Sequence, residues 1–176
     1  MDKKILLVPA FAAAALLAAC GGDDTLGAPP AAPTAAAPFQ PPVAVVHAAD
    51  YTLAADAPAA GHCALDAING GGTQGVVLPA SGHAAFGGWI ANAALGVPTD
   101  AMFVLRGEQG SLAAPLDARW DRPDVAQALG SEALANAGFN LQLSLDGVPA
   151  GSYELLAMVD AATGATCNFN VTLVLE

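Results

Sequence analysis

Two segments near the C-terminus alternate apolar and polar residues with a period of two. That period fits a half-buried β-strand and is incompatible with the apolar stripe of a helix. In Phe139-Asn140-Leu141-Gln142-Leu143-Ser144-Leu145 the odd positions are apolar and the even ones polar. From residue 167 onward the pattern returns: Cys167, Phe169, Val171, Leu173 and Leu175 fall on one side, Asn168, Asn170 and Thr172 on the other. Shorter segments punctuated by Gly, Pro, Asp and Asn add candidate strands at 74–78, 86–93, 101–106, 112–118 and 153–159. Weaker ones lie at 43–51 and 63–68.

One helical signal interrupts them. Asp121 is placed to cap a turn opening at Arg122-Pro123, with Asp124 three residues on in a capping-box position. Val125 and Leu129 then share a face, and Gly130 or Gly138 ends the helix. About eight short strands with turn signals at regular spacing and little helix predict an all-β chain, a single antiparallel sandwich over 46–176.

The N-terminus reads differently. Lys3 and Lys4 precede an uncharged run from Ile5 to Ala19, too short to span a bilayer and laid out as a secretory signal. Leu17-Ala18-Ala19-Cys20 at its end resembles a bacterial lipobox. The resemblance implies cleavage after residue 19, a diacylglycerol thioether on Cys20 and N-acylation by a palmitate-type chain. A plain signal peptide that happens to end in cysteine is the competing reading. At about 0.8 kcal/mol per buried methylene one chain binds marginally, whereas two or three hold permanently. Gly21 follows the cysteine, with no aspartate there to retain the product at an inner membrane. The resemblance therefore implies the outer membrane of a Gram-negative cell envelope. Residues 20–45, beginning Cys20-Gly21-Gly22-Asp23-Asp24 and rich in Pro and Ala, cannot form a core and read as a disordered tether.

Removing residues 1–19 takes five basic residues to three and sixteen acids to fifteen, so the formal charge moves from −11 to −12. No lysine remains, and the fixed cations are Arg106, Arg119 and Arg122. Nucleic acid and anionic lipid surfaces should repel such a chain. With Cys20 given to lipid, Cys63 and Cys167 are left as a pair in a disulfide-permissive compartment. Their bridge closes a loop of about a hundred residues, worth about 4–5 kcal/mol in the chain-entropy model. The rival is a metal site drawing on His62, Cys63, Asp66 and His83. Neighbours on a strand point to opposite faces, and no CxxC or HxxxH spacing supports the site, so no metal ligand is assigned.

Leu145-Asp146-Gly147-Val148-Pro149-Ala150-Gly151-Ser152-Tyr153-Glu154-Leu155 resembles the hairpin-to-strand corner of immunoglobulin-like and fibronectin-like modules. Gly151 relieves the tight turn there, and Tyr153 starts the next strand. Gly88-Trp89, Arg122-Pro123-Asp124-Val125-Ala126 and Gly138-Phe139 are similar, more loosely, to small Ig-like modules of bacterial surface proteins. The cysteine–tryptophan–cysteine spacing of antibody domains is missing, so the resemblance implies architecture alone.

Catalytic signals are weak throughout. Asp117, Asp121 and Asp124 are interleaved with Arg119 and Arg122, which favours capping and ion pairs over a cation site. Ser81-Gly82-His83 lacks a nucleophile elbow, and the glycine runs lack a P-loop lysine or a dinucleotide fingerprint. No catalytic residue and no cofactor is assigned. The best recognition signal is Arg119-Trp120-Asp121-Arg122, where an exposed indole flanked by cations would stack on a sugar or a partner's aromatic group. The competing reading has Trp120 plugging the sandwich edge, while Trp89 reads as core. The expectation is a non-catalytic cell-envelope lipoprotein that displays an Ig-like module for protein–protein or structural contact. The alternative is a glycan-binding module built on Trp120 and its arginines.

Overall fold

The structure, a computed structural model, describes residues 45–116 and 119–176. The signal segment, Cys20, nearly all of the tether and Asp117 lie outside the described residues. The two alternating segments become β8 (Gly138–Ser144) and β10 (Ala165–Leu175), each with its apolar positions turned inward. Before them come β1 (Val45–His47), β2 (Ala49–Tyr51), β3 (His62–Ile68), β4 (Val76–Leu78), β5 (His83–Ala91), β6 (Met102–Gly107) and β7 (Gly110–Pro115). Strand β9 (Gly151–Asp160) stands between β8 and β10, and a short helix α1 (Pro123–Leu129) with a 3-10 turn at Glu132–Leu134 links β7 to β8.

Two sheets face each other, ordered β1-β8-β5-β3 and β2-β7-β6-β9-β10-β4. The central pairings are antiparallel, as the alternation requires. The sandwich is not antiparallel throughout, because β1 joins β8 and β4 joins β10 in parallel. Both exceptions are three-residue edge strands laid down by loops, where no hairpin dictates direction. Taking β3, β5 and β8 as A, B and E, and β6, β7, β9 and β10 as C, C′, F and G, gives the strand order of an immunoglobulin-like sandwich. Among the described residues no D strand follows β7. The helical segment occupies that stretch of chain, and β1 takes the place beside β8.

Four phenylalanines meet between the sheets. Phe86 and Phe103 have ring centroids 4.8 Å apart, and Phe169 lies 5.8 Å from Phe103 and 5.9 Å from Phe139. Each such pair adds about 0.5–1.5 kcal/mol beyond area burial. The Cys63–Cys167 disulfide joins β3 of one sheet to β10 of the other, with Cα atoms 6.1 Å apart.

Both sheets also carry apolar residues on their outer faces. On the second sheet Val104, Ala113, Leu156 and Met158 are buried beneath Tyr51, Leu53 and Met102. The chain after β2 then returns to the start of β10, where Ala60 N donates to Thr166 O and Thr166 N donates to Pro58 O, both at 2.9 Å. That cover explains why β9 is buried continuously from Leu155 to Val159 instead of alternating. On the first sheet α1 and the 3-10 turn bury Val125, Leu134 and Ala137 against Ala91. Trp89, read as core from the sequence, packs half-buried against that satellite core cluster.

Helix α1 starts one residue later than its sequence signal. Its N-cap is Arg122, whose carbonyl accepts from Val125 N and Ala126 N at 3.1 Å, and no side chain caps it. The Asp121 carboxylate instead faces Asn136, whose amide nitrogen, turned to donate, lies 2.7 Å from Oδ1. Gly130 closes the helix in the left-handed region at φ 66°, as expected of a glycine C-cap.

Register shifts occur at three places, one of them between Ala165 and Thr166 on β10. Asn168 to Thr172 on β10 spans four positions against two on β9, and Phe169 and Val171 within it are buried. Asp66 is the inserted residue on edge strand β3, and bulge and charge together blunt that edge against further pairing. Opposite it, Gly88 has no room for a side chain: a Cβ there would stand 2.3 Å from Ala64 O.

Candidate functional site

Trp120 is held by two backbone hydrogen bonds, its N donating to Gly138 O at 2.8 Å and Gly138 N donating to its O at 3.0 Å. The indole is half-buried. The arginines on either side are tied into the fold. Arg119 donates to Leu116 O and, at 2.7 Å, to Pro98 O. Arg122 donates to Asp124 at 2.8 Å and, across to β3, to Asp66 at 2.7 Å. Its hydrogen bond to Asp124 is the main cause of a raised guanidinium pKa, and the same bond holds the Asp124 carboxyl down to about 2. The arginines predicted to flank a recognition surface therefore anchor the 119–122 segment to the 98 loop, to β3 and to α1.

The metal constellation does not come together. Cys63 spends its sulfur in the disulfide. His62 pairs with Ala91 and His83 with Ser144, which puts them at opposite ends of β5. Eight residues of strand separate those ends, about 26 Å at 3.3 Å per residue. Among the described residues no three His, Cys, Asp or Glu side chains converge on one point. At Ser81-Gly82-His83 the main contact is structural: Gly82 N donates to Asp146 Oδ1 at 2.8 Å and ties two loops together.

The remaining cation, Arg106, sits on the outer face of the second sheet. It donates through Nε to Glu154 at 2.9 Å, and Asn168 donates to the other carboxylate oxygen. These bonds, that from Arg106 foremost, lower the Glu154 pKa.

A concave surface lies elsewhere, where the β6–β7 turn meets the 145–150 loop. It is a cleft of about 430 Å³. Leu112, Pro149 and Tyr153 supply its apolar lining, and Asp50, Glu108 and Gln109 its polar one. Tyr153 fixes one wall. Its hydroxyl donates to Pro149 O at 2.7 Å, four residues upstream, in the manner of the tyrosine corner of immunoglobulin-like domains. Burial raises the pKa of that hydroxyl. Gly107 lies flat against the ring, since a Cβ there would come within 2.8 Å of Cε1. Sequence reasoning found the corner but not the cleft, whose walls come from positions about forty residues apart. The available signal was the glycine density at 107, 110, 147 and 151.

No family model matches this chain, and neither a curated protein nor a solved structure matches it.

Proposed function

We propose that this chain is a non-catalytic cell-envelope lipoprotein, anchored through Cys20, that displays its Ig-like sandwich for protein–protein or structural contact. What supports the reading is the order of parts: a segment that resembles a lipobox, a proline-rich stretch, then a sandwich stapled by Cys63–Cys167. A disulfide of this kind suits an oxidising compartment, and a lipid on Cys20 would hold the sandwich at the outer membrane of a Gram-negative cell. The partner is an envelope protein. In vivo cross-linking followed by recovery of the chain should enrich a specific adduct. Recovery of nothing above a tagged, unrelated lipoprotein would defeat the proposal.

The glycan-binding alternative stands second, because Arg119 and Arg122 already donate to carbonyls and carboxylates of this same chain. Its test is tryptophan fluorescence titrated with envelope polysaccharides. A saturable change abolished by Trp120→Ala would move the glycan reading ahead of the first.

A further inference from the structure

We propose that the cleft between the β6–β7 turn and the 145–150 loop receives a lysine or arginine side chain presented by an extended segment of a partner protein. The inference rests on the display-module reading above and adds to it a site and a partner chemistry.

The lining fits an alkyl cation. Leu112, Pro149 and the Tyr153 ring offer an apolar surface for a methylene stem, and the carboxylates of Asp50 and Glu108 meet a charged head. Among the described residues no lysine or arginine lines the cleft. The ion pairs among the described residues are Arg106–Glu154, Arg122–Asp66 and Arg122–Asp124, so neither rim carboxylate is already neutralised by one of them. A volume of about 430 Å³ takes one long side chain with room to spare. Gly107, Gly110, Gly147 and Gly151 add no side chains to its walls.

The occupant has to come from another molecule. The chain's own tether carries Asp23 and Asp24 and no cation between residues 21 and 44, so an acid-rimmed cleft would repel it. A second copy brings a formal charge of −12 after cleavage, and all three of its arginines donate to groups of its own fold. The occupant is therefore a cationic side chain of a different protein.

The test titrates the isotopically labelled full-length chain with acetyl-Gly-Lys-Gly-amide and with the same peptide carrying Nε-acetyl-lysine. The expected result is amide shifts confined to residues 107–112 and 147–153 with the first peptide and none with the second. Added salt should weaken the binding. Replacing both carboxylates, Asp50→Asn with Glu108→Gln, should weaken it about fivefold, as befits exposed ion pairs. Shifts scattered over the surface, an equal response to the acetylated peptide, or unchanged affinity in the double variant would overturn the assignment. So would 1,4-diaminobutane reproducing both the shifts and the affinity, because the ligand would then be a free alkyl diamine. A partner recovered in cells but cross-linked away from these residues would sink the cleft and leave the display function standing. Peptide binding as expected, with no partner recovered in cells, would support the cleft and count against the display function.

Discussion

Replacing Cys63 and Cys167 together by alanine should cost the sandwich about 4–5 kcal/mol. The bridge spans a sequence separation of 104 residues. Closing a loop of that size removes denatured-chain entropy worth about 4.7 kcal/mol at 25 °C in the chain-entropy model. The native state loses little by comparison. Strand β3 keeps its pairing to β5, and β10 keeps β9 on one side and β4 on the other. Neither sulfur is deeply buried, although both pack against the core edge. The effect therefore acts on the unfolded chain, and its signature is a larger m-value beside a lower midpoint. Guanidinium unfolding followed by circular dichroism and by Trp89 and Trp120 fluorescence measures both. Against a net stability of about 5–15 kcal/mol the loss is a large share, and on heating it should appear as a drop of roughly 15–20 °C. A double variant within about 1 kcal/mol of the parent would refute the argument, because the denatured chain would then gain nothing from release of the loop.

Three more outcomes are tied to specific contacts. Tyr153→Phe removes the hydroxyl bond to Pro149 O while keeping the ring, and should cost about 1–1.5 kcal/mol in denaturant; parental stability would strip the corner of its energetic role. Gly88→Ala drives a methyl into Ala64 O and to 2.9 Å from Phe139 Cζ, so a loss of about 3 kcal/mol or more is expected, and a stable variant would contradict the close approach. Glu154 and Asp124 titrate below their ordinary 4.5 and 3.8, so each adds stability that is present above those values and lost as pH falls through the folded pKa. Stability measured from pH 5 to about 2 should therefore fall with acid, less steeply in Arg106→Gln; an identical slope in that variant would show that Arg106 does not hold the glutamate down.

Strict periodicity was the most legible part of the sequence. The apolar faces of β8 and β10 lay open because the opposite side of each strand carries polar residues, and a glycine stop to the helix was legible at 130 or 138, of which the structure uses 130. β9 was found as a strand, but its unbroken burial was not foreseeable, since it depends on Tyr51 and Leu53 being laid over the outer face. The candidate at 74–78 holds β4 and the weaker one at 43–51 holds both β1 and β2, but each strand is only three residues long, because pairing with a single neighbour limits it. At 119–122 the residue types suggested a binding surface or arginines offsetting neighbouring aspartates; Arg122 does pair with Asp124, and its second partner, Asp66 of a distant bulge, could not be read locally. Asp121 was a sound N-cap by type and lost the position to the backbone of its neighbour. The cleft depended on two turns meeting in space: glycine density marks each turn, but no local pattern says that the two meet.

A single intact-mass measurement on the chain purified from the envelope reads both the lipid on one cysteine and the bridge between the other two. The expected polypeptide starts at Cys20, carries diacylglycerol and an N-acyl chain, and lacks the thiol hydrogens of Cys63 and Cys167. A mass that retains residues 1–19, or one that starts near residue 20 with no lipid attached, would contradict the lipid anchor, and a mass that keeps both thiol hydrogens would contradict the bridge.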